Sequence, residues 1–218
     1  AEFIHALGLL KQAAAEVNAD LGLLDQERAR AIAHAAGEVA QGLHDLEFPV
    51  DVFQTGSGTS SNMNSNEVIA NLASKRSKLK INANDDVNMS QSSNDVIPTA
   101  ICISSLLDME RLLLPNLDIL IDAIDAKMKE VKGNVKTGRT HLMDAMPIDF
   151  SQELSGWKAQ LTSSKKSLKA ASARMLELPQ GGTAIGTGIN THKDFSKHFC
   201  SKVNALTGLK TKQAKNFF

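Results

Sequence analysis

The sequence contains no tyrosine and one tryptophan, and aromatic residues fill only 4% of its 218 positions. Stacking platforms for single-stranded nucleic acid are therefore scarce. A β-sandwich, whose strands draw on aromatic and β-branched residues, is disfavoured for the same reason. Charge of one sign is missing too, since 24 Lys and Arg balance 24 Asp and Glu. Without a basic excess the chain lacks the electrostatic footprint of a nucleic-acid or membrane-surface partner. Two cysteines, Cys102 and Cys200, are too few for a disulfide framework in a chain of this size. They read as reduced thiols in a reducing compartment. No uncharged apolar run approaches the roughly 20 residues of a membrane span, and no secretory signal is visible.

What is present is enough for a core, with 42% hydrophobic residues. Phe3, Leu7, Leu10, Ala14 and Val17 recur at helical spacing and predict a first helix. Asp25 reads as the N-cap of a second, whose apolar face is Ala29, Ile32, Ala36, Val39 and Leu43, closed by Gly42 and Pro49. The stretch from Gln54 to Asn94 is dominated by Ser, Thr, Asn and Gly, as a linker would be. Yet Met63, Val68, Ile69 and Leu72 supply apolar anchors, which predicts a Gly-Ser-Gly-Thr turn and a helix over about 61–77.

From Asp95 onward the pattern is strongly helical. One helix carries Ile101, Leu106 and Met109. After Pro115 a second carries Leu117, Leu120, Ile121, Ile124, Met128 and Val131, and Gly133 ends it. The stretch VKTGRTHLMDAMPID shows little periodicity and reads as a loop. Phe150, Leu154, Trp157, Leu161, Ser164, Leu168, Ala171, Met175 and Leu178 then alternate spacings of four and three, a heptad seam. A helix of about 28 residues is roughly 40 Å long. Only the 112–131 helix approaches that length, so the seam lacks partners within the chain. The expected organisation is a mostly helical domain over 1–92 and an incomplete helical bundle over 93–218.

Three polar, Gly-containing segments stand at or near predicted helix starts: GSGTSSNMN from Gly56, SQSSND from Ser90 and GRTHLMDA from Gly138. Helix N-termini present free N–H groups and a positive dipole end, and neutral hydroxyl and amide donors there suit a carboxylate or phosphate. Ordinary N-capping is the competing reading of each. The GGTAIGTGIN run from Gly181 reads as a tight turn between helices. No HExxH or CxxC occurs, so a transition-metal site is not expected, and there is neither a P-loop nor a GxGxxG after a strand.

The segments QTGSGTSSNMNSNEVIAN, VNMSQSSNDVIPTA, TGRTHLMDAMPIDFSQELSGW and QGGTAIGTGINTH together resemble the class II fumarases of the fumarase/aspartase superfamily, collinearly from Phe3 to about Leu209. The resemblance implies an all-α fumarase-like fold and reversible hydration of fumarate to L-malate without a cofactor. It implies a small dicarboxylate as partner and a homotetramer whose active sites are shared between subunits. The expected compartment is cytoplasmic, or the mitochondrial matrix in a eukaryote. By matching position, Ser57, Thr59, Ser92, Ser93 and Asn94 correspond to ligands of the substrate carboxylates, with Asn190 as a further binding residue. Thr140 and His141 correspond to the residues beside the reacting carbons and the catalytic water. Aspartases usually carry Gln where this chain has His141, which favours the hydratase. An aspartate ammonia-lyase and a non-catalytic paralogue are the alternatives.

Two departures accompany the resemblance. The family's GSSxMPxKxN loop, source of its carbon base, has no match, so the chain is expected to be a fragment that is inactive alone. Asn82-Ala83 replaces a usual His-Pro pair in the family's secondary anion site, where Asn84 and Asp85 still match.

Overall fold

The computed structural model describes residues 2–51 and 57–218. Among them are seven α-helices and two short two-stranded sheets. The all-α expectation holds. The chain forms two compact units, one comprising residues 1–107 with 175–218 and the other residues 108–174.

In the first unit, α1 (Glu2–Asp20) is buried on two faces. Leu7, Leu10 and Val17 join Val96, Ile103 and Leu107 of α4 (Ser93–Asp108) and Phe195, Phe199 and Val203 of α7 (Phe195–Thr207) in one apolar cluster. Ala15 and Ala19 join a second cluster with Ile32, Ala36 and Val39 of α2 (Gln26–Ala40) and Ile69 and Ala73 of α3 (Thr59–Ser77). Small residues let α1 and α2 approach closely: a Cβ on Gly8 would lie 2.5 Å from the Ala40 nitrogen. Asp25 caps α2 as its sequence position predicts, accepting the N–H groups of Glu27 and Arg28. Gly42 follows that helix at φ 77°, the left-handed conformation glycine adopts at low steric cost.

The second unit contains α5 (Leu114–Glu130), the strands β1 (Val135–Thr140) and β2 (Met143–Asp149), and α6 (Phe150–Met175) up to Arg174. Pro115, read as a break between helices, is instead accommodated by a π turn over Met109–Leu113 that leads directly into α5. The wider turn relieves the clash of the proline ring with the carbonyl four residues back. Half-buried Leu117, Ile121, Ile124 and Met128 form a stripe on α5, and Leu154, Leu161 and Leu168 form one on α6. Lys158–Asp125 and Lys165–Asp118 ion pairs step one heptad down α5 and one heptad up α6. That opposite stepping sets the two helices antiparallel.

Two further local expectations fail. Residues 135–149 form an antiparallel β-hairpin rather than a loop. Its strands carry few apolar residues on a shared face, so no period-two signal marks them. The seam helix stops at Met175 rather than running on to Leu178. Leu178 instead lies in β3 (Glu177–Leu178), which pairs in parallel with β4 (Lys212–Gln213), and its side chain is fully buried in the first unit. An apolar residue in register with a seam can serve either structure, and burial beside α7 decides the outcome here.

Candidate active site

In the first unit the structure draws two of the three polar segments together with the GGTAIGTGIN run. Gly58, at φ 68°, immediately precedes α3 and, among the described residues, makes no side-chain cap. Ser57 and Thr59 lie exposed on either side, their hydroxyl oxygens 3.1 Å apart. Among the described residues, α3 shows no side-chain cap at Gly58, and the Ser57 and Thr59 hydroxyls bond to each other. A Cβ on Gly58 would come within 3.0 Å of Ile97, so the start of α3 rests on the first turn of α4. Residues 52–56, which include Gly56 of the motif, lie outside the described residues.

Capping does account for part of the second segment. Ser92 Oγ accepts the Asn94 N–H at 3.3 Å, while Asp95 Oδ1 accepts the Ser92 N–H at 2.9 Å, a reciprocal box at the start of α4. Ser93 Oγ accepts from Asn62 Nδ2 at 2.9 Å, which ties the first turn of α3 to the first of α4. Asn94 Nδ2 donates to the Ala184 carbonyl at 2.6 Å. The 180s segment is held again by Asp95 Oδ2, which accepts the N–H groups of Gly181 and Thr183. Burial raises the Asp95 pKa, and those three backbone N–H groups pull the other way.

Asn190 lies exposed on the same 180s loop at φ 60°, and the structure gives it no hydrogen bond to Ser57, Thr59, Ser92, Ser93 or Asn94. Asn84 and Asp85 stand apart from the cluster, in a π turn over Ala83–Val87. Their N–H groups bond to the Asn82 side chain, so Asn82 serves as a cap there. Asp86 accepts from Asn82 N at 2.7 Å and pairs with Arg28 at 2.9 Å, which fixes the turn.

Thr140 and His141 belong to the second unit. His141 and Leu142 are the two residues that turn β1 into β2, at φ 50° and 61°. A two-residue turn with both φ values positive matches the twist of the strands but is usually built from Asn and Gly. Neither His nor Leu enters that region cheaply, and each such residue costs on the order of 1–3 kcal/mol. Strain of this kind concentrates where a side chain must be presented in a fixed direction. Both side chains are exposed, Leu142 to 97%.

Sequence reasoning missed Lys11. It is fully buried, and its Nζ donates to Asn88 Oδ1 at 3.0 Å and Gln91 Oε1 at 2.9 Å. Burial lowers its pKa to about 7, against the pull of Asp95. Nothing in the helical pattern around KQAAAEVN distinguishes this lysine from a solvated one. Among the described residues no group of three or more His, Cys, Asp or Glu is placed to hold a metal ion, and no helix is long and apolar enough to cross a membrane.

A family model described as lyase matches residues 1–218. The chain is 54% identical over 216 residues to a protein of Xylella fastidiosa named fumarate hydratase class II, covering 99% of this chain and 46% of that one. A protein of the same name in Methylorubrum extorquens is 50% identical, covering 100% and 48%. Among solved structures, a class II fumarase from Schistosoma mansoni superposes with a TM-score of 0.93 at 38% identity, covering 100% of this chain and 50% of that one. The chain spans about half the length of the relatives it matches. A 3-carboxy-cis,cis-muconate lactonizing enzyme from Pseudomonas putida, 16% identical with a TM-score of 0.72, shares the fold alone.

Proposed function

The chain belongs to the lyase family whose model spans all 218 of its residues, and from that premise we propose that it is about half of a class II fumarate hydratase. The observation that carries the reading is the donor cluster at the paired starts of α3 and α4. Ser57, Thr59, Ser92, Ser93 and Asn94 are neutral donors set at two helix N-termini, and Asn62 to Ser93 links the two helices at 2.9 Å. Such a site binds a dicarboxylate without a strong countercharge. Asn190 contributes from the neighbouring loop. Asn84 and Asp85 belong to a secondary site, where the Asn82 cap takes up the local N–H groups.

Hydration adds the hydroxyl of water to one alkene carbon of fumarate and a proton to the other. After the hydroxyl adds, charge accumulates on the carboxylate conjugated with the carbanion. Donors fixed in place before the reaction stabilise that growing charge more than the ground state. Thr140 and His141 supply the second half of the chemistry. The imidazole accepts the proton of the attacking water as the carbon–oxygen bond forms and returns one in the dehydration direction. A strained turn that presents His141 at its tip suits this task.

Oligomerisation belongs to the same reading. Trp157 is 54% exposed and Ile119 66% exposed on the two long helices, apolar faces that copies of the chain would cover in a homotetramer.

The test is an ultraviolet assay of the complete enzyme. L-malate as substrate produces fumarate absorbance, and L-aspartate gives none. Turnover of aspartate with release of ammonia would replace the hydratase by an ammonia-lyase, and inertness toward both would leave a non-catalytic relative.

A further inference from the structure

Four side chains, Lys11 and Asn62 buried and Asn88 and Ser93 half-buried, form a chain of hydrogen bonds beneath the donor cluster. Lys11 Nζ donates to Asn88 Oδ1 at 3.0 Å. Asn62 Nδ2 donates to the same oxygen at 3.3 Å and to Ser93 Oγ at 2.9 Å. Asn88 Nδ2 is occupied separately, donating to the Gln91 carbonyl at 3.3 Å. Lys11 and Asn62 are essentially inaccessible, at 0% and 1% exposure.

The chemistry of these groups gives the chain a direction. Charged or neutral, the amine has at least two N–H donors, and it directs them at Asn88 Oδ1 and Gln91 Oε1, so the atom of Asn88 that faces Lys11 is the oxygen. That oxygen in turn requires a donor from Asn62, so the Asn62 amide turns its nitrogen toward both Asn88 and Ser93. With Asn62 Nδ2 donating to it, Ser93 Oγ is used as an acceptor from below. Its own O–H is then free to point outward as a donor. Rotating the Asn62 amide would set its oxygen against Asn88 Oδ1 and consume the Ser93 proton.

We propose that Lys11 is a positioning residue that fixes the hydrogen-bond polarity of the Asn88–Asn62–Ser93 chain, so that Ser93 presents its hydroxyl as a donor to a substrate carboxylate. The inference rests on the dicarboxylate reading of the site. It explains why the structure keeps an amine in its interior, where burial disfavours the charged form. An amine two amides removed from the ligand orders the donor without forming an ion pair with substrate, so product is not held too tightly for release.

A double-mutant cycle in the complete hydratase tests this. Ser93→Ala, Lys11→Met and the double variant are compared by calorimetric binding of L-malate and by kcat and KM. Ser93→Ala is expected to weaken malate binding about 10-fold. Lys11→Met should weaken it to a similar degree, with the loss mainly in KM, and the double variant should be no worse than Ser93→Ala. Additive losses, or normal malate binding by Lys11→Met, overturn the polarity role while leaving the dicarboxylate site intact. Normal binding by Ser93→Ala removes both the site reading and the inference. Should Lys11→Met not fold, Asn62→Asp answers the same question. Its carboxylate only accepts, so it must take the Ser93 proton, and its loss too should vanish in the Ser93→Ala background. An undiminished loss there overturns the proposal.

Discussion

Asp95 accepts the backbone N–H of Thr183 at 2.9 Å, across 88 residues of sequence. The same carboxylate accepts from Gly181 at 3.0 Å and from Ser92 at 2.9 Å, so one buried side chain joins the start of α4 to the 180s loop. Asp95→Ala would leave three N–H groups without their acceptor, each costing on the order of 1–3 kcal/mol where water cannot reach. Urea denaturation of the complete protein should show stability lower by about 3–5 kcal/mol. A loss within about 0.5 kcal/mol, the range of an ordinary surface substitution, contradicts this.

His141→Asn separates chemistry from conformation. Asparagine tolerates the left-handed region better than most residues, so the turn at φ 50° survives the exchange. Turnover should fall about 100-fold or more, while KM stays within a few-fold and the melting temperature is unchanged. Retained turnover would mean that another group handles the proton of water.

For Thr59→Ala the expected loss is in ligand binding, since among the described residues the Thr59 hydroxyl bonds to Ser57 and does not cap α3. Malate affinity should drop roughly 10-fold, as for a hydrogen bond to a charged oxygen. If instead the melting temperature falls and affinity is normal, Thr59 serves the helix and not the ligand.

The Lys11 amine titrates near pH 7 in the native state, against an ordinary value of 10.5. Between those values the unfolded chain holds a proton that the native chain has released. Stability therefore rises with pH across that window. Thermal melts at pH 7 and pH 9 should show wild type gaining on Lys11→Met as pH increases. An equal difference at both values would mean that the native amine titrates outside this range.

Expressed by itself, the 218-residue chain should self-associate and convert no malate. The apolar faces of α5 and α6 are open, with Leu120 46% and Trp157 54% exposed. Light scattering should report species larger than a monomer, and Trp157→Lys with Leu120→Lys should reduce them. Monomers in the unmodified chain would show that these faces need no cover. Full activity would show that the residues present here suffice for catalysis.

Much of this architecture is legible in the sequence, and the failures have physical causes. Asp25 announces α2 because a cap is a local interaction between neighbours. The face of Leu7, Leu10 and Val17 is legible because helix geometry repeats it. The β-hairpin around His141 is not, because His-Leu replaces the Asn-Gly that marks such a turn. Lys11 escapes for a different reason. Its partners Asn88 and Gln91 are 77 and 80 positions away, and only the folded chain shows that they close over it. Ser92 reads equally well as cap or ligand residue, and the structure finds it in a capping box whose hydroxyl still has a proton to give.

The first unit is discontinuous along the chain, and that has a cost during synthesis. Phe195, Phe199 and Val203 complete the cluster begun by Leu10 and Ile103, yet they leave the ribosome roughly 90 residues after α4 is made. At a rate of about 5–20 residues per second, the nascent protein waits about 5–20 s with that apolar surface uncovered. The intervening residues 108–174 add the exposed stripes of α5 and α6 during the same interval. Holding such a chain apart from its siblings is work for a chaperone, and in its absence higher expression should favour inclusion bodies over folded protein.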